Sequence, residues 1–206
     1  MARNIAFYFD IISPFSYLAY QRLPALAARH GYALEHHPAD LAELKRLAGN
    51  TAPRVTAIPL KLRYSRIDQQ RWADRYGVPI RPPAHSHDST WLNRGVFYAI
   101  DRGRAGEYLS KAWGKMRCDG RDLVDETMWR EIATELGWAA DEFVTFVRGE
   151  ASRQRYEQST RAAHEHGVFG VPAMMIGAEM WWGNDRLDFL EEFLRAGSGT
   201  GERAAE

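Results

Sequence analysis

Ile5-Ala6-Phe7-Tyr8-Phe9-Asp10-Ile11-Ile12-Ser13-Pro14-Phe15-Ser16-Tyr17-Leu18-Ala19 is the stretch whose reading decides the fold. Residues 4–9 are short, aromatic and β-branched, the pattern of a buried strand. Ser13 then stands where a helix cap belongs, and Pro14 takes the first helical position, where a missing N–H costs nothing. Phe15, Leu18, Ala19, Leu23, Leu26 and Ala27 follow at helical spacing as far as Gly31, with Pro24 expected to kink the run. A second strand over 32–37 completes a β-α-β start, whose parallel pairing favours a right-handed crossover.

Outward from there, residues 39 to 167 read as mostly helical. Helices are expected over 40–47, 60–75, 90–102, 106–117, 125–136, 141–148 and 151–166. An irregular stretch lies at 52–59, and Gly77-Val78-Pro79 and Arg81-Pro82-Pro83 mark a loop. The chain then returns to strands. A hairpin is expected over 172–182, turning at Gly177-Ala178, before a last helix with Leu187, Leu190 and Leu194 on one face. The order β-α-β, helical block, β-β-α is an α/β layout of thioredoxin type, interrupted by a helical insertion. It predicts one domain from residues 1–38 and 160–197, an all-helical insertion over 39–159, and a disordered tail over 198–206.

Twenty-seven basic residues balance 27 acidic ones, so no global field draws the chain toward nucleic acid or a membrane surface. No apolar run approaches membrane-spanning length and no leader pattern precedes the first strand, so a cytoplasmic location is expected. The single cysteine, Cys118, excludes an internal disulfide and a two-cysteine redox cycle. It reads as a structural thiol. The pairs His36-His37, His85/His87 and His164/His166 lack the carboxylate or cysteine spacing of a metal site, so no metal is expected.

Three stretches could carry chemistry. Ser13-Pro14-Phe15-Ser16 has the spacing of a Cys-x-x-Cys pair with oxygen in place of both sulfurs. Such a segment cannot shuttle disulfides, but its hydroxyl can either cap the helix or donate to a thiolate brought by another molecule. Gly167-Val168-Phe169-Gly170-Val171-Pro172 opens a strand with proline, which cannot donate to a sheet ladder; a cis Val171-Pro172 bond would turn the Val171 backbone toward the cleft beside Ser13. In Met180-Trp181-Trp182-Gly183-Asn184-Asp185-Arg186-Leu187, Gly183 permits a tight exit from the strand. Asn184 or Asp185 there is either a helix cap or part of a nest for the amino-acid end of a ligand. Seven basic residues between Arg54 and Arg81 face only Asp68 and Asp74; they form a solvated helix face or bind a small anion, with Lys61 the best candidate.

These stretches, with Gln70-Arg71-Trp72-Ala73, together resemble the bacterial 2-hydroxychromene-2-carboxylate isomerases, relatives of the kappa-class glutathione transferases in the DsbA-like thioredoxin fold. The likeness runs in order from about Ile5 to Leu194. It implies a thioredoxin-like α/β fold with a large all-helical insertion, glutathione as cofactor, and a homodimer. It also implies interconversion of 2-hydroxychromene-2-carboxylate and trans-o-hydroxybenzylidenepyruvate in catabolism of naphthalene-type aromatics. By position, Ser13 is the catalytic residue at the glutathione sulfur, and Asn50 and Lys61 hold the tripeptide. The Val171 backbone pairs with the cysteinyl unit, while Trp182, Gly183, Asn184 and Asp185 grip the γ-glutamyl end. Lys45, Arg46 and Tyr76 meet the aromatic carboxylate. Arg46 stands where the family pattern has an apolar residue. The loop His85-Ser86-His87-Asp88-Ser89 departs from the pattern, and no site residue is drawn from it.

The implied chemistry is covalent catalysis with a borrowed nucleophile: a thiolate adds to the conjugated carbon, the former double bond rotates, and the thiolate leaves. A free thiol, with pKa about 8.5, is mostly protonated at neutral pH, so the site must stabilise its anion. Opening and closing the hemiketal needs proton transfer, through Tyr76 or water. The alternatives are a kappa-class-like glutathione transferase acting on electrophilic small molecules, and a thiol-binding module without catalysis.

Overall fold

Apolar side chains on both faces make Arg3–Phe9 (β1) an interior strand: Ile5, Phe7 and Phe9 are fully buried, and Tyr8 is buried on the opposite face. The computed structural model describes residues 3–53, 55–82, 84 and 88–198. β1 pairs in parallel with Tyr32–Pro38 (β2), Phe7 opposite His36. On its other side it runs antiparallel to Ala173–Ile176 (β3), Tyr8 opposite Ala173. Glu179–Trp182 (β4) completes a four-stranded sheet of order β2-β1-β3-β4.

Between β1 and β2 lie Pro14–Tyr20 (α1) and Leu23–Arg29 (α2). The sequence pointed to one helix kinked at Pro24. Instead α1 closes at Tyr20, the chain turns at Gln21-Arg22, and Pro24 falls in the first turn of α2. No intrahelical N–H bond is required there, so the proline starts a helix rather than bending one.

The long central stretch contributes Leu41–Leu47 (α3), Pro59–Tyr76 (α4), Thr90–Ile100 (α5), Ala105–Trp113 (α6), Glu126–Glu135 (α7), Ala140–Arg148 (α8) and Glu150–Glu165 (α9). α5 and α6 approach closely because residue 95 is glycine: a Cβ there would lie 2.2 Å from the Tyr108 hydroxyl, which donates to the Leu92 carbonyl at 2.9 Å. Tyr98 meets Trp138 and Phe143 edge to face, while Tyr108 stacks on Trp138 and lies tilted against Phe143, and this aromatic core is continuous with the one beneath the sheet. α6 stops short of its expected end at 117. Residues Gly114–Cys118 widen into a π turn that directs Arg117, 3% exposed, into the interior.

α4 behaves differently. Ala73 is its one buried residue, and Leu60, Tyr64 and Ile67 are 79%, 62% and 43% exposed. The histidines of β2 serve packing: His36 lies edge-on to Phe9 with its Nε2 3.2 Å from the Tyr20 hydroxyl, and His37 stacks on Tyr8. Leu187–Ser198 (α10) closes the structure, with Leu187, Leu190 and Leu194 buried as expected. The tail assigned to 198–206 lies outside the described residues apart from Ser198, and so do His85, Ser86 and His87. Among the described residues no helix is long and apolar enough to cross a membrane.

Candidate functional site

β1 ends in a tight turn, the Ser13 N–H donating to the Asp10 carbonyl at 2.9 Å. Ser13 is the N-cap of α1: its Oγ accepts from the Ser16 N–H at 3.2 Å. Capping uses the oxygen's lone pair and leaves the hydroxyl proton for another acceptor. The two readings of Ser13 are therefore compatible without any movement of the side chain. Ser13 is only 5% exposed, which keeps competing water from its hydroxyl.

The turn is held by side chains that sequence reasoning missed. Asp10, 3% exposed, accepts four hydrogen bonds: from Ser89 Oγ at 2.5 Å, Asn93 Nδ2 at 2.7 Å, and the backbone N–H groups of Leu41 at 3.1 Å and Ile12 at 3.2 Å. Burial pushes its carboxyl pKa up, and these donors pull it back by favouring the anion. The Ile11 N–H reaches Asn93 Oδ1 at 3.1 Å and the Ile11 carbonyl accepts from Trp113 Nε1 at 3.0 Å. Arg117, whose pKa burial lowers to about 10, donates through Nη2 to the Ile12 carbonyl. Every backbone group of Ile11 and Ile12 is thus satisfied by a buried partner, three of the side chains coming from the helical block. Two signals were available in the sequence: an acid ending an apolar strand, and an asparagine on the apolar face of α5. Ser89, set aside with its loop, ties that loop to Asp10.

The Val171-Pro172 bond is cis. The bond immediately precedes β3, whose first residue, Ala173, lies opposite Tyr8 near the end of β1. The Pro172 carbonyl accepts from the Gly183 N–H at 2.9 Å, joining the end of β4 to the same edge. Gly183 has φ +115°, which only glycine adopts readily, and a Cβ there would meet Asp185 Oδ1 at 2.4 Å. The half-exposed Trp182 indole covers Gly170, where a Cβ would lie 2.9 Å from Nε1, and meets Phe169 edge-on at 4.8 Å. Asn184 is buried; its Oδ1 accepts from the Tyr76 hydroxyl at 3.1 Å, and its Nδ2 has no partner among the described residues. Asp185 is exposed and pairs with Arg186 at 2.8 Å.

The structure therefore brings Ser13, Val171, Gly183 and Asn184 to one end of the sheet, with Tyr76 joined to Asn184. Burial raises the Tyr76 pKa, and the Arg22 guanidinium, 5.5 Å from its ring centre, opposes that rise. Lys45 and Arg46 ride on α3, whose first amide is bonded to Asp10, but Arg46 is engaged by both oxygens of Glu43 at 2.7 Å. Among the described residues, no bond joins Asn50 or Lys61 to the Ser13 turn. Asn50 Oδ1 instead accepts from the Ala52 N–H at 3.1 Å, and Lys61 is exposed in the first turn of α4.

The arrangement offers two hydrogen-bond donors at one end of the sheet: the Ser13 hydroxyl proton and the buried Asn184 Nδ2, which has no partner among the described residues.

The DSBA-like thioredoxin domain family matches residues 4–195. A 2-hydroxychromene-2-carboxylate isomerase of Sphingobium xenophagum is 40% identical over 194 residues, covering 94% of this chain and 99% of its own. A solved structure of a 2-hydroxychromene-2-carboxylate isomerase superposes with a TM-score of 0.91 at 37% identity, over 98% of this chain and 100% of the other. More distantly, glutathione S-transferase kappa 1 of Homo sapiens is 22% identical, over 94% of this chain and 92% of its own.

Proposed function

The chain belongs to the DSBA-like thioredoxin domain family and, within it, to the 2-hydroxychromene-2-carboxylate isomerases, and from that premise we propose that Ser13 holds the thiolate of a bound glutathione while the substrate isomerises. The chain is an isomerase, and its reaction interconverts 2-hydroxychromene-2-carboxylate with trans-o-hydroxybenzylidenepyruvate. One observation carries the role of Ser13: its Oγ accepts the cap bond from Ser16 and keeps its own proton to donate, at a turn whose other polar groups are already satisfied.

Glutathione, when bound, supplies the nucleophilic thiolate that makes a rigid carbon–carbon double bond rotatable. Ser13 donates to that sulfur and lowers the thiol pKa, a hydrogen bond to a charged acceptor contributing about 1.5–3 kcal/mol. The Val171 backbone lines the same edge. Asn184, through its unpaired Nδ2, and Trp182, Gly183 and Asp185 around it take the amino-acid end of the tripeptide. Asn50 and Lys61 provide its outer contacts. Lys45 and Arg46 face the substrate carboxylate, Arg46 by leaving Glu43. Tyr76 moves the proton that opening of the hemiketal requires by turning its hydroxyl from Asn184 Oδ1 to the substrate; burial raises its pKa and keeps it protonated. Labour divides along the chain, residues 1–38 with 160–197 holding the sulfur and 39–159 holding the substrate. A homodimer belongs to the same reading, supported by the apolar residues that α4 leaves exposed.

The test is an ultraviolet assay on the chromene substrate with and without glutathione. Turnover should require glutathione and leave total thiol unchanged. Ser13→Ala should lower kcat/KM ten- to a hundredfold while the fold persists. Wild-type turnover by that variant would remove Ser13 from the mechanism. Net consumption of thiol with an electrophilic aryl halide, and no isomerisation, would make the chain a transferase.

A further inference from the structure

We propose that Asp10 is a positioning residue that acts through Ser13: its buried carboxylate fixes the Ile11-Ile12 turn so that the Ser13 hydroxyl points at the ligand sulfur. The inference rests on the reading of Ser13 given above and extends it to a residue that touches neither ligand.

The geometry singles Asp10 out. Its carboxylate is almost wholly buried and, among the described residues, no cation bonds to it; four neutral donors do, from the turn itself, the start of α3 and the start of α5. Ser89 occupies the N-cap position of α5, yet its hydroxyl makes no cap bond and goes to Asp10 instead. A capping side chain has been redirected into the turn. Asn93 reaches Asp10 with its nitrogen and the Ile11 N–H with its oxygen, so one side chain braces the carboxylate and the backbone next to it. The Ile12 N–H, one peptide before Ser13, donates to Asp10 directly. A buried carboxylate short of its partners is costly to keep, so the arrangement has one low-energy geometry, and that geometry includes the position of Ser13. Pre-organised first contacts of this kind are what transition-state stabilisation needs.

Positioning and plain electrostatics predict opposite signs. As a bare negative charge, Asp10 would repel the thiolate, and Asp10→Asn would lower the pKa of bound glutathione. As the support of Ser13, Asp10 favours the thiolate, and the same variant would raise it. The experiment titrates the ultraviolet thiolate absorbance of bound glutathione in four proteins: wild type, Asp10→Asn, Ser13→Ala and the double variant. We expect the midpoint to rise by about one pH unit in each single variant and no further in the double, because the two residues act on one hydrogen bond. The glutathione dissociation constant should stay within about threefold, since a loosened hydroxyl does not dismantle the rest of the cleft.

A midpoint that falls or stays put in Asp10→Asn, with Ser13→Ala still shifted, overturns the role of Asp10 and leaves Ser13 standing. Additive shifts overturn it too, since Asp10 would then act independently. An unshifted Ser13→Ala removes the reading of Ser13 and this inference with it. Should Asp10→Asn fail to fold, Ser89→Ala keeps the charge and removes one donor; it should raise the midpoint by a smaller amount, and no shift there overturns the proposal.

Discussion

The turn from Asp10 to Ser13 and helix α4 are both assigned parts of one ligand, and they are built on opposite principles. The turn is buried, and the backbone groups of Ile11 and Ile12 are each bonded to a partner drawn from the turn, α5, α6 or the π turn. α4 buries a single residue, carries Lys61 in solvent, and exposes Leu60, Tyr64 and Ile67 in one stripe. The difference teaches where precision is needed. A sulfur that must be held at one atom calls for a rigid support, whereas the charged end of a peptide can be met by a long, mobile cation.

The contrast should be sharpest in stability. Trp113 is 1% exposed, packs against Phe9, Tyr17 and Tyr20, and donates to the Ile11 carbonyl. Trp113→Ala should cost about 4 kcal/mol from the cavity and the orphaned carbonyl together, read as a lower urea midpoint. A loss below about 1 kcal/mol would mean that the turn is not anchored from the helical block, and the comparison would break.

Acid should probe the same half. Burial lowers the His36 pKa from 6.5 to about 4, with the neighbouring His37 adding to the effect. The unfolded chain takes up this proton as pH falls through 6.5, while the folded ring resists until about 4. Stability is therefore undiminished above about pH 6.5 and drains away between 6.5 and 4, the loss reaching about 3 kcal/mol at the acid end. Urea unfolding of wild type and His36→Gln across that window should show the slope largely lost in the variant. An unchanged slope would place the acid-sensitive groups elsewhere.

How legible each half was in the sequence follows from the same contrast. Strands, helices and the hairpin were readable because they repeat: apolar residues recur every second or every third to fourth position, and Ser13, Gly183 and Val171-Pro172 carry local backbone chemistry. The α1–α2 break was not, since a proline after a helical run permits either a kink or a restart. The clamp on the turn was hidden for a stronger reason. Trp113, Arg117, Asn93 and Ser89 meet it across 79 or more residues through side-chain bonds that leave no period. The binding roles of Asn50 and Arg46 came from position within a family, and Lys61, the best anion-binding candidate in its basic cluster, was given to the tripeptide on the same ground. The fold leaves these three in solvent, so their test lies in ligand affinity rather than in packing.

Lys61→Ala therefore serves as the ligand-side counterpart. It should weaken glutathione about fivefold, as loss of one solvent-facing ion pair does, while the urea midpoint stays unchanged. Calorimetric titration checks it. A hundredfold loss would say that the outer half is as organised as the inner one, and the contrast between them would fail.

Leu60→Ser has the smallest expected effect on the isolated chain and asks most of α4. A side chain 79% exposed loses little apolar contact when replaced, so unfolding of the dilute protein should move by no more than about 0.5 kcal/mol. If a second copy covers the stripe of Leu60, Tyr64 and Ile67, the same substitution removes buried area from the interface, and sedimentation should shift toward the monomer at a concentration where wild type is paired. The openness of α4 would then be a property of one subunit alone, and Lys61 would sit at the margin of an interface. An unaltered sedimentation profile in a paired wild type would place the contact elsewhere and leave α4 open to solvent in the assembly.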